Sequence, residues 1–238
     1  MKEYQNYIFD LYGTLIDIQT NEESPSLWKS LAKIYSCFGA SYTADALKAT
    51  YASFCLEEKE KFTCPFPEID LAKVFANLYV KKGIFPEESL VYYTGNTFRV
   101  LSREKFNLYP GITDLLQDLK KKHKHIYLLS NAQRIFTWQE LTQLGLIPYF
   151  DGIFISSDFG IKKPNPDYLK KLISTYSLDP SKCIMIGNEI ASDIAIANQC
   201  NIDSLYIRTQ TFEPLKDDIG ATYCVLNQSL ADFYFHQA

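Results

Sequence analysis

From about residue 109 the chain alternates short apolar runs with amphipathic stretches, and this alternation restricts the fold more than any other feature. Runs at 126–129, 153–156, 183–186, 204–207 and 222–225 read as strands, and 133–144, 166–176 and 191–200 carry helical spacing. Strands separated by helices pair in parallel, with helices covering both faces of the sheet. One further strand, Tyr7-Ile8-Phe9-Asp10, opens the chain and ends in the turn Tyr12-Gly13-Thr14. Between Ser24 and Lys105 the texture is helical. Ser24-Pro25 starts a helix bearing Leu27, Leu31, Ile34, Tyr35 and Phe38, and three more follow, around Leu47–Cys55, Val74–Tyr79 and Leu90–Leu101. No run in that block reads as a strand. The expectation is an α/β doubly wound parallel-sheet core, residues 1–16 and 108–238, interrupted after its first strand by an all-helical cap, 17–107.

Composition narrows the partners. The chain has 238 residues, 47% hydrophobic and 22% charged, enough for a sizeable core. The high aromatic share, 15%, is spread along the chain and reads as packing. A net charge of −4 without a long basic stretch argues against nucleic acid as a partner. The cluster Lys120-Lys121-Lys122-His123-Lys124-His125 sits where a helix should end, and reads as a solvated terminus. No apolar run approaches the ~18 residues needed to span a membrane, and no signal segment opens the sequence. The six cysteines form no Cys-x-x-Cys pair. The expectation is a cytoplasmic protein whose cysteines are reduced, buried small hydrophobes. Oligomeric state is not legible.

In an open parallel sheet, ligands bind beyond the carboxyl ends of the strands. Those ends here deliver Asp10, then Ser130-Asn131, then the loop with Lys162 and Lys163, then Gly187-Asn188-Glu189 and Asp193. Carboxylates, a hydroxyl, amides and an ammonium on one edge suit a small anionic substrate and a hard cation. Each residue has a plainer role available. Asp10 closing an apolar strand could be a nucleophile or could cap the next turn. Gly13 allows close backbone approach, and Thr14 offers a hydroxyl and an amide to an oxyanion. Ser130 could bind a phosphoryl oxygen or cap a helix. Lys163 could neutralise a nucleophile or be a solvated loop lysine. Glu189 and Asp193, four residues apart, could hold Mg²⁺ together with Asp10 and the Tyr12 carbonyl, or mark a helix start favourable to acids.

Taken together and in this order, these segments resemble the four motifs of the haloacid dehalogenase superfamily, with a Rossmann-like core, and the insert resembles the helical cap of its first cap class. Tyr109-Pro110-Gly111 and Lys163-Pro164-Asn165-Pro166 add to the likeness. The resemblance implies Asp10 as nucleophile, Ser130 and Lys163 as groups that bind substrate or stabilise charge, and Glu189 and Asp193 as the acidic residues of the last motif. Tyr12, Gly13, Thr14, Asn131 and Asn188 would line the substrate.

The chain departs from that pattern in informative ways. Phosphatases of the family carry an Asp two residues after the nucleophile, where this chain has Tyr12, as its 2-haloacid dehalogenases do. Asn188 replaces the usual first acid of the last motif, which Glu189 would then supply. The dehalogenases also use a cap arginine, whereas the first Arg here is Arg99, and a Tyr six residues after the motif lysine, where this chain has Leu169 with Tyr168 one position off. The expectation is a Mg²⁺-assisted hydrolase of a small phosphorylated metabolite. The alternatives are a 2-haloacid dehalogenase or a weakly catalytic protein that binds such a metabolite.

Overall fold

The computed structural model describes residues 2–209 and 219–236. In chain order its elements are β1 (Asn6–Phe9), β2 (Ile16–Thr20), α1 (Pro25–Cys37), α2 (Ala44–Glu60), α3 (Leu71–Val80), α4 (Glu88–Ser102), β3 (Arg103–Leu108), α5 (Ile112–Lys121), β4 (His125–Ser130), α6 (Arg134–Gln143), β5 (Gly152–Ile155), α7 (Pro166–Thr175), β6 (Cys183–Gly187), α8 (Ala195–Gln199), β7 (Asp203–Ile207), β8 (Tyr223–Val225) and α9 (Leu230–Phe235). Six strands make one parallel sheet in the order β5-β4-β1-β6-β7-β8. The central strands are apolar throughout because both faces of a parallel sheet are covered. Alternate residues feed two separate cores: Tyr7, Phe9, Leu128 and Ile186 pack on one face with α5 and α9. Ile8, Leu129, Met185 and Phe154 pack on the other with α7 and α8.

Helices α1–α4 gather around a third core, built from Leu27, Trp28, Leu31, Tyr35, Phe75, Tyr79 and Phe98. Aromatic rings dominate it, with Phe75 and Phe98 centroids 5.4 Å apart and Phe98 and Phe136 6.0 Å apart. Ile135 and Phe136 of α6 belong to this cluster, so the α/β unit supplies part of the cap's own core. Gly95 of α4 makes that approach possible, since a Cβ there would lie 2.3 Å from Ile135 Cδ1.

Three expectations need correction. The insert is not all-helical: β2 and β3 pair antiparallel as a neck, with Ile16 opposite Leu108 and Ile18 opposite Phe106. Both strands are half-exposed and Arg103–Leu108 is largely polar, so neither has a strong period-2 pattern, and their pairing joins segments far apart in sequence. Of the six cysteines only Cys183 is buried, while Cys37 and Cys224 are exposed; all are free thiols among the described residues. The lysine cluster is not wholly solvated either, because Lys124 is buried, its ammonium 2.6 Å from Glu3. No described helix is long and apolar enough to cross a membrane.

The cap touches the α/β unit at a second place. The loop between α2 and α3 lies along the loop before α7, with an antiparallel bridge between Pro67 and Ile161. Glu68 N donates to Gly160 O at 3.0 Å, Lys162 N to Phe66 O at 3.0 Å, and Asn165 Nδ2 to Pro65 O at 2.9 Å. The segment that carries Lys163 is thereby stapled to the cap.

Candidate active site

Asp10 follows the last residue of β1, and its N–H donates to Ile186 O at 2.9 Å. The chain then turns sharply. Gly13 adopts φ +80°, and a Cβ there would lie 2.4 Å from Asn188 Nδ2, so two constraints demand glycine. Thr209 Oγ1 donates to Gly13 O at 2.7 Å and steadies the turn.

Lys163 is the hub. Its ammonium donates to Asp10 Oδ1 at 2.6 Å, to Asp193 Oδ1 at 2.7 Å and to Leu129 O at 2.8 Å, which uses all three of its protons. Burial works against its charge, but Asp10 and Asp193 outweigh it and hold the pKa above that of an ordinary lysine. Burial pushes the Asp193 carboxyl up, Lys163 opposes this, and Asp10 adds to it. Two carboxylates against one ammonium leave one buried negative charge uncompensated.

Gly187 makes the position of Asp193 possible, because a Cβ would come within 2.2 Å of that carboxylate. Asp193 Oδ2 accepts from Glu189 N at 3.0 Å. The Thr14 hydroxyl lies 3.2 Å from Asp10 Oδ2 and 3.2 Å from Asn188 Oδ1, and can donate to one at a time. Ser130 Oγ stands 3.5 Å from Asp10 Oδ1, at the limit of a hydrogen bond. Tyr168 Oη donates to Ser130 O at 3.2 Å and fixes that strand end from behind.

Asp10, Gly13, Thr14, Ser130, Lys163, Asn188 and Asp193 thus come together, and three other expected residues do not. Asn131 clasps the backbone of Lys163: its Nδ2 donates to Lys163 O at 3.0 Å, and Lys163 N donates to its Oδ1 at 2.8 Å. Glu189 is exposed and its carboxylate accepts from Ser192 Oγ, so it forms no three-carboxylate group with Asp10 and Asp193; none exists among the described residues. The Tyr12 side chain turns to α6, where its hydroxyl meets Thr137 Oγ1 at 2.9 Å and donates to Glu140 Oε2. It is held there rather than beside Asp10. Burial, with Glu140 next to it, pushes its pKa well above that of an ordinary phenol.

The Tyr12 contact exposes residues that sequence reasoning passed over. Glu140, 2% exposed, also accepts from Arg99 Nε at 2.8 Å, and the Arg99 guanidinium lies 5.3 Å from the Tyr12 ring centre. Arg103 approaches the same carboxylate at 3.8 Å. An apolar-faced helix such as α6 with one acid gives no hint of a partner on α4; the only signal was a glutamate on a face otherwise occupied by Phe136 and Leu141.

A family model described as haloacid dehalogenase-like hydrolase matches residues 4–201. The chain is 32% identical over 120 residues to phosphoglycolate phosphatase of Nitrosococcus oceani, covering 49% of this chain and 53% of that protein. It is 27% identical over 140 residues to glyceraldehyde 3-phosphate phosphatase of Methanothermobacter thermautotrophicus, covering 58% and 62%. The match thus spans about half to three-fifths of the length of these two relatives. Pyrimidine 5′-nucleotidase PynA of Streptococcus pneumoniae is 25% identical over 221 residues, 88% of this chain and 86% of that one. Among solved structures, 2-haloacid dehalogenase from Pseudomonas syringae pv. Tomato DC3000 superposes with a TM-score of 0.67 at 16% identity, covering 99% and 100%. The magnesium-bound HAD-hydrolase YfnB from Bacillus subtilis gives 0.59 at 22%, covering 99% of each chain. At these identities the structural likeness is one of fold.

Proposed function

Because the chain belongs to the haloacid dehalogenase-like hydrolase family, we propose that it hydrolyses a small phosphate ester or acyl phosphate through a covalent intermediate on Asp10. The observation that carries this reading is the Asp10–Lys163–Asp193 arrangement. Lys163 holds Oδ1 of Asp10 and leaves Oδ2, near the Thr14 hydroxyl, as the attacking oxygen. Oδ2 forms a bond to phosphorus and the bond from phosphorus to the leaving oxygen breaks, releasing a carboxylate from an acyl phosphate, or from an ester an alkoxide that takes its proton from water. Water then attacks the aspartyl phosphate, releasing inorganic phosphate and restoring the carboxylate. Thr14 and Ser130 hydroxyls can donate to the phosphoryl oxygens, and Lys163 orients the Asp10 carboxylate.

The donor set fits Mg²⁺: hard carboxylate oxygens with one negative charge in excess, buried together. Asp10, Asp193 and the Tyr12 carbonyl would hold it, and it would supply charge neutralisation to the phosphoryl group. The experiment is turnover of a panel of phosphate esters and acetyl phosphate in Mg²⁺ and in EDTA. Turnover that needs Mg²⁺ supports the reading; equal turnover in EDTA overturns the metal's part in it.

A specific observation favours a second reading. With the Tyr12 hydroxyl engaged by Glu140, the loop of the nucleophile presents no carboxylic acid for a leaving group. Halide leaves as an anion and needs none. Metal-independent hydrolysis of 2-chloropropionate, with no phosphate released from any ester, would establish dehalogenation instead.

A further inference from the structure

The loop between α2 and α3 grips the α/β unit through one side chain as well as through its backbone. The Glu68 side chain is only 11% exposed. Its Oε1 accepts from Gln133 Nε2 at 3.2 Å, its Oε2 lies 3.0 Å from Ser156 Oγ, and Lys162 Nζ stands 3.7 Å from Oε2. Its backbone N–H donates to Gly160 O. Gln133 returns the grip: its Nε2 also donates to Ile69 O at 2.9 Å, and its Oε1 accepts from Leu71 N at 2.9 Å.

Each of these partners adjoins a segment of the Asp10 site. Gln133 lies three residues past Ser130, and Lys162 precedes Lys163. Ser156 follows the last residue of β5, and its Oγ accepts from Ala132 N at 2.8 Å. One cap carboxylate therefore ties together the loops after β4 and β5 and the loop before α7. The site has little slack to absorb a shift of those loops. Lys163 already spends its three protons on Asp10, Asp193 and Leu129 O, and Ser130 Oγ already stands 3.5 Å from Asp10 Oδ1. A small displacement takes that hydroxyl beyond hydrogen-bond reach.

We propose that Glu68 is a positioning residue, which acts through Gln133, Ser156 and Lys162 to hold the Ser130 hydroxyl and the Lys163 ammonium in place against Asp10. Hydrogen bonding carries this role more than charge, because the pair with Lys162 is long and Lys162 is partly exposed. Ser156 Oγ has one proton and two acceptors, Glu68 Oε2 at 3.0 Å and Ala132 O at 3.1 Å. With glutamine at 68, the amide oxygen can accept from Gln133 and the amide nitrogen can donate to Ser156 Oγ, whose proton then turns to Ala132 O. Alanine offers neither contact. The proposal rests on the phosphate reading above, and its test separates the two.

The test measures kcat and KM for acetyl phosphate on the full chain with Mg²⁺ present, with kcat expressed per folded molecule from the melting curve. Amide hydrogen exchange on the same proteins needs no turnover. Glu68→Ala should lower kcat by roughly 100-fold, the cost of a misplacement of about 1 Å. Exchange should quicken at 130–133 and 160–165 and stay unchanged in β6 and β7. Glu68→Gln should return kcat to within about threefold of wild type, because only a weak ion pair is lost. Gln133→Ala should reproduce the defect, and the double variant with Glu68→Ala should lose less than the product of the two. A merely structural role leaves kcat per folded molecule unchanged in Glu68→Ala, which overturns the proposal while the reaction stands. A loss that Glu68→Gln shares in full overturns it too. If Glu68→Ala does not fold, wild-type kcat in Gln133→Ala overturns it. Quickened exchange confined to those two segments, in a protein whose wild type hydrolyses no phosphate, supports the brace and overturns the reaction. Exchange unchanged in both segments overturns the brace.

Discussion

Tyr12 donates its phenolic hydrogen to Glu140, a residue of α6 that also binds Arg99 of α4. The loop of the nucleophile, the α/β unit and the cap therefore meet at one buried carboxylate. Two consequences follow, one for chemistry and one for stability.

For chemistry, Tyr12 is removed from the role of proton donor. Its hydroxyl is engaged and its pKa is raised, so it is a poor acid near neutral pH. Tyr12→Phe should lower kcat on acetyl phosphate far less than the ~10²–10⁴-fold that loss of a general acid brings. The wild type should favour acyl and aryl phosphates over alkyl phosphates when no group on the substrate itself supplies the proton. Tyr12→Asp should raise alkyl-phosphate turnover. A full general-acid loss in Tyr12→Phe would show that the phenol does transfer the proton.

For stability, Arg99 and Glu140 are both largely buried, and removing one partner strands the other. Glu140→Ala or Arg99→Ala should each cost about 3–5 kcal/mol in chemical denaturation. The double variant should cost clearly less than the sum, because neither charge is then left alone. Additive losses would mean that the pair contributes no mutual stabilisation.

Asp10→Asn keeps the shape of the residue and its contact with Lys163 but removes the attacking carboxylate. Turnover should fall to background on every substrate. The protein should also bind Mg²⁺ more weakly, read as a smaller rise in Tm on adding the ion, because binding to the folded state alone is what raises Tm. Activity within about tenfold of wild type, where ~1.4 kcal/mol of barrier is a factor of ten, would remove Asp10 from the nucleophile's place.

The stapled loop provides a pH test. Burial pushes the Glu68 carboxyl up, and Lys162 and Ser156 only partly restore it. A carboxyl with a raised folded-state pKa binds its proton more tightly when folded, so its contribution to stability is present at low pH and is lost as pH rises through that pKa. Wild type should therefore gain stability relative to Glu68→Gln as pH is lowered from neutral toward 5. A difference between the two melting curves that is flat with pH would show Glu68 to be unperturbed.

Much of this was legible beforehand. Continuous short apolar runs and their alternation with helical stretches set the parallel sheet, because a strand buried on both faces must be apolar throughout. The strand-end rule then placed Asp10, Ser130, Lys163 and Asp193 on one edge, since every parallel strand points its carboxyl end the same way. These are properties of local pattern and chain direction. Three things were decided only by tertiary structure. The β2–β3 neck pairs half-exposed segments that meet only after the whole cap has been traversed. Glu189 and Asn131, both expected in the site, turn their side chains to Ser192 and to the backbone of Lys163. Tyr12, two residues from Asp10, is held by Glu140. A side chain's direction depends on which distant group offers it a hydrogen bond, and that information resides in the packing of helices that no local pattern records.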